Sequence, residues 1–159
     1  MNKRNFILYL FLNWFTITCF AQKNDIYPNW DTNFTRKRET RAVWLTTLSN
    51  LDWPKTLANS EEGVRKQKEE LTELLDKYVT ANINTVLLQT RVRAATIYPS
   101  NIEPWDKCLT GRENGNPNYD PLAFAVEECH KRGLEIHAWI AAMPVGASNS
   151  LGCKEMKKK

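Results

Sequence analysis

The sequence is poor in the residues that metal and phosphate chemistry uses. It has two histidines and six glycines among 159 residues. Glu127 and His130 have the i, i+3 spacing of a helical metal site. Such a site draws further ligands from a second helix, and no partner motif exists. A Gly-rich phosphate loop and a serine nucleophile elbow are both absent. No metal or other cofactor is therefore expected. No internal repeat is visible, and the only low-complexity stretch is the terminal lysines. Excess charge is also missing where it would matter. Lys3 and Arg4 carry +2 and residues 154–159 a net +3, which leaves residues 5–153 at −1 of the formal +4. A near-neutral body gives a phosphate-binding surface no electrostatic basis, so no nucleic-acid partner is expected.

What remains is an ordinary globular composition, 42% apolar and 25% charged, enough to bury one core. Lys3 and Arg4 precede an apolar run over residues 6–12 that continues in interrupted form to Ala21. The run is too short and too broken to span a bilayer, and reads as a secretory signal peptide over residues 1–21. The mature protein is then exported, to the periplasm or the cell surface. Cys19 leaves a lipoprotein alternative in which the membrane becomes a partner through that anchor. Residues 22–37 are polar and aperiodic and read as a tether. Export would place Cys108, Cys129 and Cys153 in an oxidising compartment. Cys129 falls on an apolar helical stripe. Cys108 and Cys153 fall in loops, and are either a disulfide or two thiols.

From residue 38 the pattern is that of an α/β domain. Residues 41–48 are β-branched and aromatic and predict a strand. Asn59 and Ser60, followed by Glu61 and Glu62, open a helix whose stripe is Val64, Leu71, Leu74, Leu75, Tyr78 and Val79. Residues 83–91 predict a second strand. Residues 92–118 form a long connection in which Tyr98 and Trp105 argue for order. Asp120 and Pro121 start a second helix, with Leu122, Ala125, Val126 and Cys129 buried and Gly133 as its stop. Residues 134–140 predict a third strand. A β-α-β-α-β order implies parallel strands with right-handed crossovers, and function at the strand carboxyl ends.

Strand alternation sorts the side chains. Val43, Leu45, Val86, Leu88, Leu134, Ile136, Ala138 and Ile140 suit a face under helices. Trp44, Thr46, Leu87, Gln89, Arg91, Glu135, His137 and Trp139 fall on the other. Trp44, Gln89, Arg91, His137 and Trp139 together resemble a carbohydrate subsite, in which aromatic faces cover sugar C–H surfaces and polar groups hold hydroxyls. Each also has a structural alternative: the tryptophans as barrel filler, Arg91 as an ion pair with Glu135, and His137 as a hydrogen-bonded core residue.

A set of motifs then carries a resemblance. Arg38-Glu39-Thr40-Arg41, Ser49-Asn50-Leu51-Asp52-Trp53-Pro54, Tyr98-Pro99-Ser100, Glu103-Pro104-Trp105, Leu109-Thr110-Gly111, Tyr119-Asp120-Pro121-Leu122, Glu128-Cys129-His130 and His137-Ala138-Trp139 resemble the start of the bacterial glycosyl hydrolase-like 10 family. The resemblance covers residues 38 to about 146. It implies an exported (β/α)8 TIM barrel acting on a glycan, with bacterial cell-wall glycan among the candidates. It adds Asn50, Asp52, Tyr98 and Trp105 to the expected glycan contacts. Two segments depart from the family pattern, Val92-Arg93-Ala94-Ala95 and Ala141-Ala142-Met143-Pro144, both at the sugar-facing rim.

A complete barrel needs about 250 residues, and this sequence supplies three strands, two complete helices and the Lys-rich opening of a third. It reads as the truncated amino-terminal part of a barrel whose full-length form hydrolyses glycosidic bonds, with the catalytic acids beyond Lys159. Asp52, Glu103, Asp106 and Glu135 read mostly as solvated charges. The alternatives are a non-catalytic glycan-binding module and an inactive gene remnant.

Overall fold

Strands β1 (Ala42–Leu45), β2 (Thr85–Val92), β3 (Ala95–Thr96) and β4 (Glu135–Ile140) make one open sheet in the computed structural model, which describes residues 39–146 and 148–158. The sheet is built around β2, whose run of Thr, Val and Leu suits a strand paired on both sides. It pairs in parallel with β1, from Ala42 opposite Thr85 to Leu45 opposite Leu88. It also pairs in parallel with β4, from Thr85 opposite Glu135 to Gln89 opposite Trp139. The short β3 folds back antiparallel on Arg91 and Val92. The result is a mixed α/β domain, and β3 is an addition that the β-α-β-α-β reading lacks. The expected signal peptide, tether and Cys19 lie outside the described residues.

Helices α1 (Glu61–Thr80) and α2 (Pro121–Lys131) are the crossovers, and α3 (Leu151–Met156) follows β4. Of the two cap candidates for α1 Ser60 takes the role, and α2 is capped by Asp120 as the sequence predicts. Ser60 Oγ accepts from Gly63 N at 3.1 Å, and Asp120 Oδ1 accepts from Ala123 N at 3.0 Å, each satisfying a donor that the first helical turn leaves open. Gly133, at φ 68°, takes the left-handed conformation beyond α2.

Of the expected stripe of α1, Leu71 and Leu75 are buried, Leu74 and Tyr78 pack against the same core, and Val79 is exposed, while Gly63 and Gln67 join the buried face. Gln67 is wholly buried as a polar hub. Its Nε2 donates to Thr56 O at 2.8 Å and Leu109 O at 3.2 Å, and its Oε1 accepts from Tyr119 Oη at 2.5 Å. Trp53 Nε1 donates to the Gln67 carbonyl at 2.9 Å. Hydrogen bonding on every side makes burial of that amide affordable.

The core lies between the sheet and the two long helices. Leu45, Val86 and Leu88 from the strands meet Leu71, Leu75, Ala125 and Cys129, joined by Trp53, Ile97, Cys108 and Leu109 from the loops. On β4, Ile136 packs on this core as expected, but Ala138 and Ile140 are exposed.

Arg132 ties the helices together, with Nε donating to Asp76 Oδ1 and Nη1 to Glu128 Oε2, both at 2.6 Å. Hydrogen bonds from Lys131 and Arg132 hold the Glu128 carboxyl below its ordinary pKa. A carboxylate with a lowered folded pKa stabilises the fold above its unfolded pKa, and that contribution fades as pH falls through the folded value. The urea midpoint of the wild-type chain is therefore expected to drop on acidification from about pH 5 to about pH 3, more steeply than that of Glu128→Gln. Parallel pH profiles would show that the pair contributes nothing.

Candidate functional site

The face of the sheet opposite the helices is open, and alternation sends the expected aromatic and polar residues to it. Trp44, Leu87 and His137 lie in one cross-strand row, and Gln89 and Trp139 in the next row toward the carboxyl ends. Trp44 is 58% exposed. Its ring meets that of Trp139 edge to face, with centroids 4.9 Å apart and planes at 88°, a preferred aromatic geometry. His137 Nε2 lies 3.0 Å from Glu135 Oε1, both side chains being exposed. The imidazole is thus a surface group and not the core histidine of the alternative reading.

Gln89 is the one buried polar group of this row. Its Oε1 accepts from Thr46 Oγ1 at 2.5 Å and from the backbone N–H groups of Thr47 and Leu48, each at 3.2 Å. These bonds fix the segment leaving β1 against β2.

Arg91 does not join the row. The pairing of β2 with β4 slips between Gln89 and Arg91, so that Arg91 stands opposite Ile140. Such a bulge re-aims side chains. The guanidinium grips Glu103 in a fork, with Nε to Oε2 at 2.8 Å and Nη2 to Oε1 at 2.6 Å. It also donates through Nη1 to the carbonyls of Ala141 and Ala142, at 2.5 and 3.2 Å. The side chains of Arg91 and Glu103 are 11% and 13% exposed. Arg91 is therefore half of a structural ion pair, with Glu103 as partner in place of Glu135, and Glu103 is not a solvated loop charge. Donating these hydrogen bonds to the Glu103 carboxylate raises the arginine's pKa above its ordinary value.

The long connection after β2 is ordered and folds over the carboxyl ends. It begins with a two-residue turn, Arg93 and Ala94, both at positive φ, where a hairpin of this length ordinarily carries Asn-Gly. Gly152 of α3 packs on this turn, and a Cβ there would fall 2.4 Å from the Ala94 carbonyl oxygen. Between these parts lies a cleft of about 320 Å³, lined among others by Asn50, Arg93, Trp105, Asp106, Lys107 and Glu113. Lys107 and Glu113 carry no motif that marks them in sequence.

The remaining expected contacts are dispersed. Asn50 lines the cleft, but its Nδ2 is committed to the carbonyls of Pro54 and Cys108, at 2.5 and 2.8 Å. Asp52 Oδ2 accepts from Thr46 N at 2.9 Å. Trp105 is half-buried against the core. The Tyr98 carbonyl accepts from Thr96 Oγ1.

The bridge considered between Cys108 and Cys153 is not formed. Both are free, buried thiols. Cys108 sits within the core cluster, where burial and then the Asp106 carboxylate push its pKa up. Cys153 lies in the first turn of α3, where its N–H is capped by Ser150 Oγ at 3.4 Å. Cys129 is a core residue as expected, its thiol pushed up to about 11 by burial.

Residues 39–157 match the family model for glycosyl hydrolase-like 10. The chain belongs to the glycosyl hydrolase-like 10 family. A relative in Bacillus subtilis (strain 168), the glycosyl hydrolase YngK, is 46% identical over 104 residues, which cover 64% of this chain and 19% of YngK. The glycosyl hydrolase DigH of Escherichia coli (strain K12) is 37% identical over 116 residues, covering 70% of this chain and 26% of DigH. The chain thus spans about a fifth to a quarter of the curated relatives it matches.

Proposed function

We propose that residues 39–158 form the opening strands and helices of an exported (β/α)8 glycoside hydrolase-like barrel, and that the Trp44 and Trp139 face is part of its glycan-contacting wall. The observation that carries this reading is the edge-to-face pair itself. Two large aromatic side chains stand on a sheet face that no described helix covers, where flat apolar surface suits the C–H faces of a pyranose. The glycan of the bacterial cell wall is the substrate class we favour, encountered in the periplasm or at the cell surface.

The hydrolytic step itself is assigned to elements outside the described residues. Glycosidic cleavage uses two carboxyl groups about 5 to 9.5 Å apart across the sugar. The acids that the sequence offers each already hold a partner: Asp52 with Thr46 N, Glu103 with Arg91, Asp106 with Cys108 N, and Glu135 with His137 on the face itself. The same commitments favour a second reading, in which the chain binds glycan without cleaving it.

Co-sedimentation with insoluble cell-wall glycan, followed by a reducing-end assay on the same mixture, tests the proposal. The 159-residue chain is expected to sediment with the glycan and to release no new reducing ends. Trp139→Ala is expected to weaken sedimentation by about tenfold, the scale of one lost aromatic contact. Hydrolysis by this chain, or binding indifferent to Trp139, would overturn the assignment.

A further inference from the structure

Gln89 is 3% exposed, yet only the oxygen of its side-chain amide is hydrogen-bonded among the described residues. Its oxygen is saturated by Thr46 Oγ1 and two backbone N–H groups. Backbone N–H groups only donate, so their partner must be the carbonyl oxygen. That removes the usual ambiguity about which end of a glutamine is which. The nitrogen is therefore fixed at the other end, carrying two protons. Among the described residues Nε2 makes no hydrogen bond, and no fully enclosed polar atom is left unsatisfied. The nitrogen, unbonded and not fully enclosed, therefore keeps some exposure of its own. Gln89 pairs with Trp139 in register, on the side of the sheet that carries Trp44.

An amide whose acceptor is used up internally, and whose donors are left unbonded in register beside Trp139, is a preorganised donor. We propose that Gln89 Nε2 donates to an acceptor oxygen of the sugar ring that rests on the Trp44 and Trp139 pair. It acts as a donor-only specificity contact: a 2-acetamido carbonyl or a ring hydroxyl satisfies it, and a group that can only donate does not. This inference rests on the glycan-wall reading and adds which atom recognises which chemistry. Pre-organisation is supplied by the backbone of Thr47 and Leu48, so no side-chain ordering is required when the ligand arrives.

The test is a titration of the ¹⁵N-labelled 159-residue chain, read by NMR on side-chain amide and indole signals. The probes are the β-1,4-linked tetramer of N-acetylglucosamine and the matching tetramer of glucose. Gln89→Glu identifies the Gln89 signal pair by its loss. It is isosteric, keeps an oxygen for the three internal donors and removes the unbonded ones. Movement of the Gln89 pair together with the Trp44 and Trp139 indole signals is expected. A response to the acetylated tetramer alone identifies a carbonyl acceptor, and a response to both identifies a hydroxyl. Gln89→Glu is expected to raise the dissociation constant about tenfold, the scale of one hydrogen bond. If the indole signals move while the Gln89 pair stays still, the donor role is overturned and the glycan wall stands. If neither tetramer moves any of these signals, both are overturned. The wild-type titration decides the matter even where the variant fails to fold.

Discussion

Arg91→Ala is expected to lower the unfolding free energy by about 3 kcal/mol, the low end of the range found when one partner of a buried ion pair is removed, because both side chains keep some exposure. The substitution strands the Glu103 carboxylate, which is 13% exposed and takes its three side-chain hydrogen bonds from the guanidinium. It also frees the carbonyls of Ala141 and Ala142, where the chain leaves β4 two residues beyond Trp139. Urea unfolding followed by circular dichroism should show the midpoint falling by roughly 2 M, taking a slope near 1.5 kcal/mol/M for a domain of this size. The double variant Arg91→Met, Glu103→Leu should recover most of the loss, because removing both charges leaves neither unpaired. A single variant as stable as wild type would return Arg91 to the open face as a free ligand contact.

That prediction reverses what strand alternation alone says of Arg91, and the reason is local. Alternation with period 2 puts residues 87, 89 and 91 on one face, and it holds for Leu87 and Gln89. The bulge between Gln89 and Arg91 breaks the count. Nothing in the alternation predicts a bulge, and Glu103, twelve residues further on, belongs to a loop without periodicity. The three parallel strands and the two long helices were legible because each rests on local chemistry: β-branched runs, Asn59 or Ser60 and then Asp120 as caps, Gly133 as a stop. The pairing of Trp44 with Trp139 was legible as a shared face, since both register and alternation follow from parallel strands. Gln67 was not. A polar residue in an amphipathic helix reads as solvent-facing until the loops that saturate it, at Thr56, Leu109 and Tyr119, are placed in space. The hairpin turn at Arg93 and Ala94 was hidden for a similar reason, because neither residue type announces positive φ.

The largest loss is expected at a tryptophan for which no periodicity argues. Trp53 sits in the loop after β1, flanked by turn residues, and is fully buried. Its ring fills the core beside Leu71 and Leu109, and its indole N–H donates to the Gln67 carbonyl at 2.9 Å. Its own backbone N–H reaches back to Thr46 O at 3.3 Å, which anchors the loop that carries Asn50 to the cleft. Trp53→Ala removes both the apolar volume and the hydrogen bond, at an expected cost of about 3 to 5 kcal/mol. Trp53→Phe keeps most of the ring and loses only the donor and some volume, so about 1 to 2 kcal/mol is expected. Trp44→Ala is the control. At 58% exposure its truncation sacrifices chiefly the contact with Trp139, and about 1 kcal/mol is the expected ceiling. Urea midpoints of the three variants rank the two tryptophans directly. If Trp44→Ala costs as much as Trp53→Ala, the paired aromatics are core, and the open face has no claim to a sugar. If Trp44→Ala leaves the fold intact while Trp53→Ala undoes it, the two tryptophans have separate tasks, one holding the loop in place and the other free to meet a ligand.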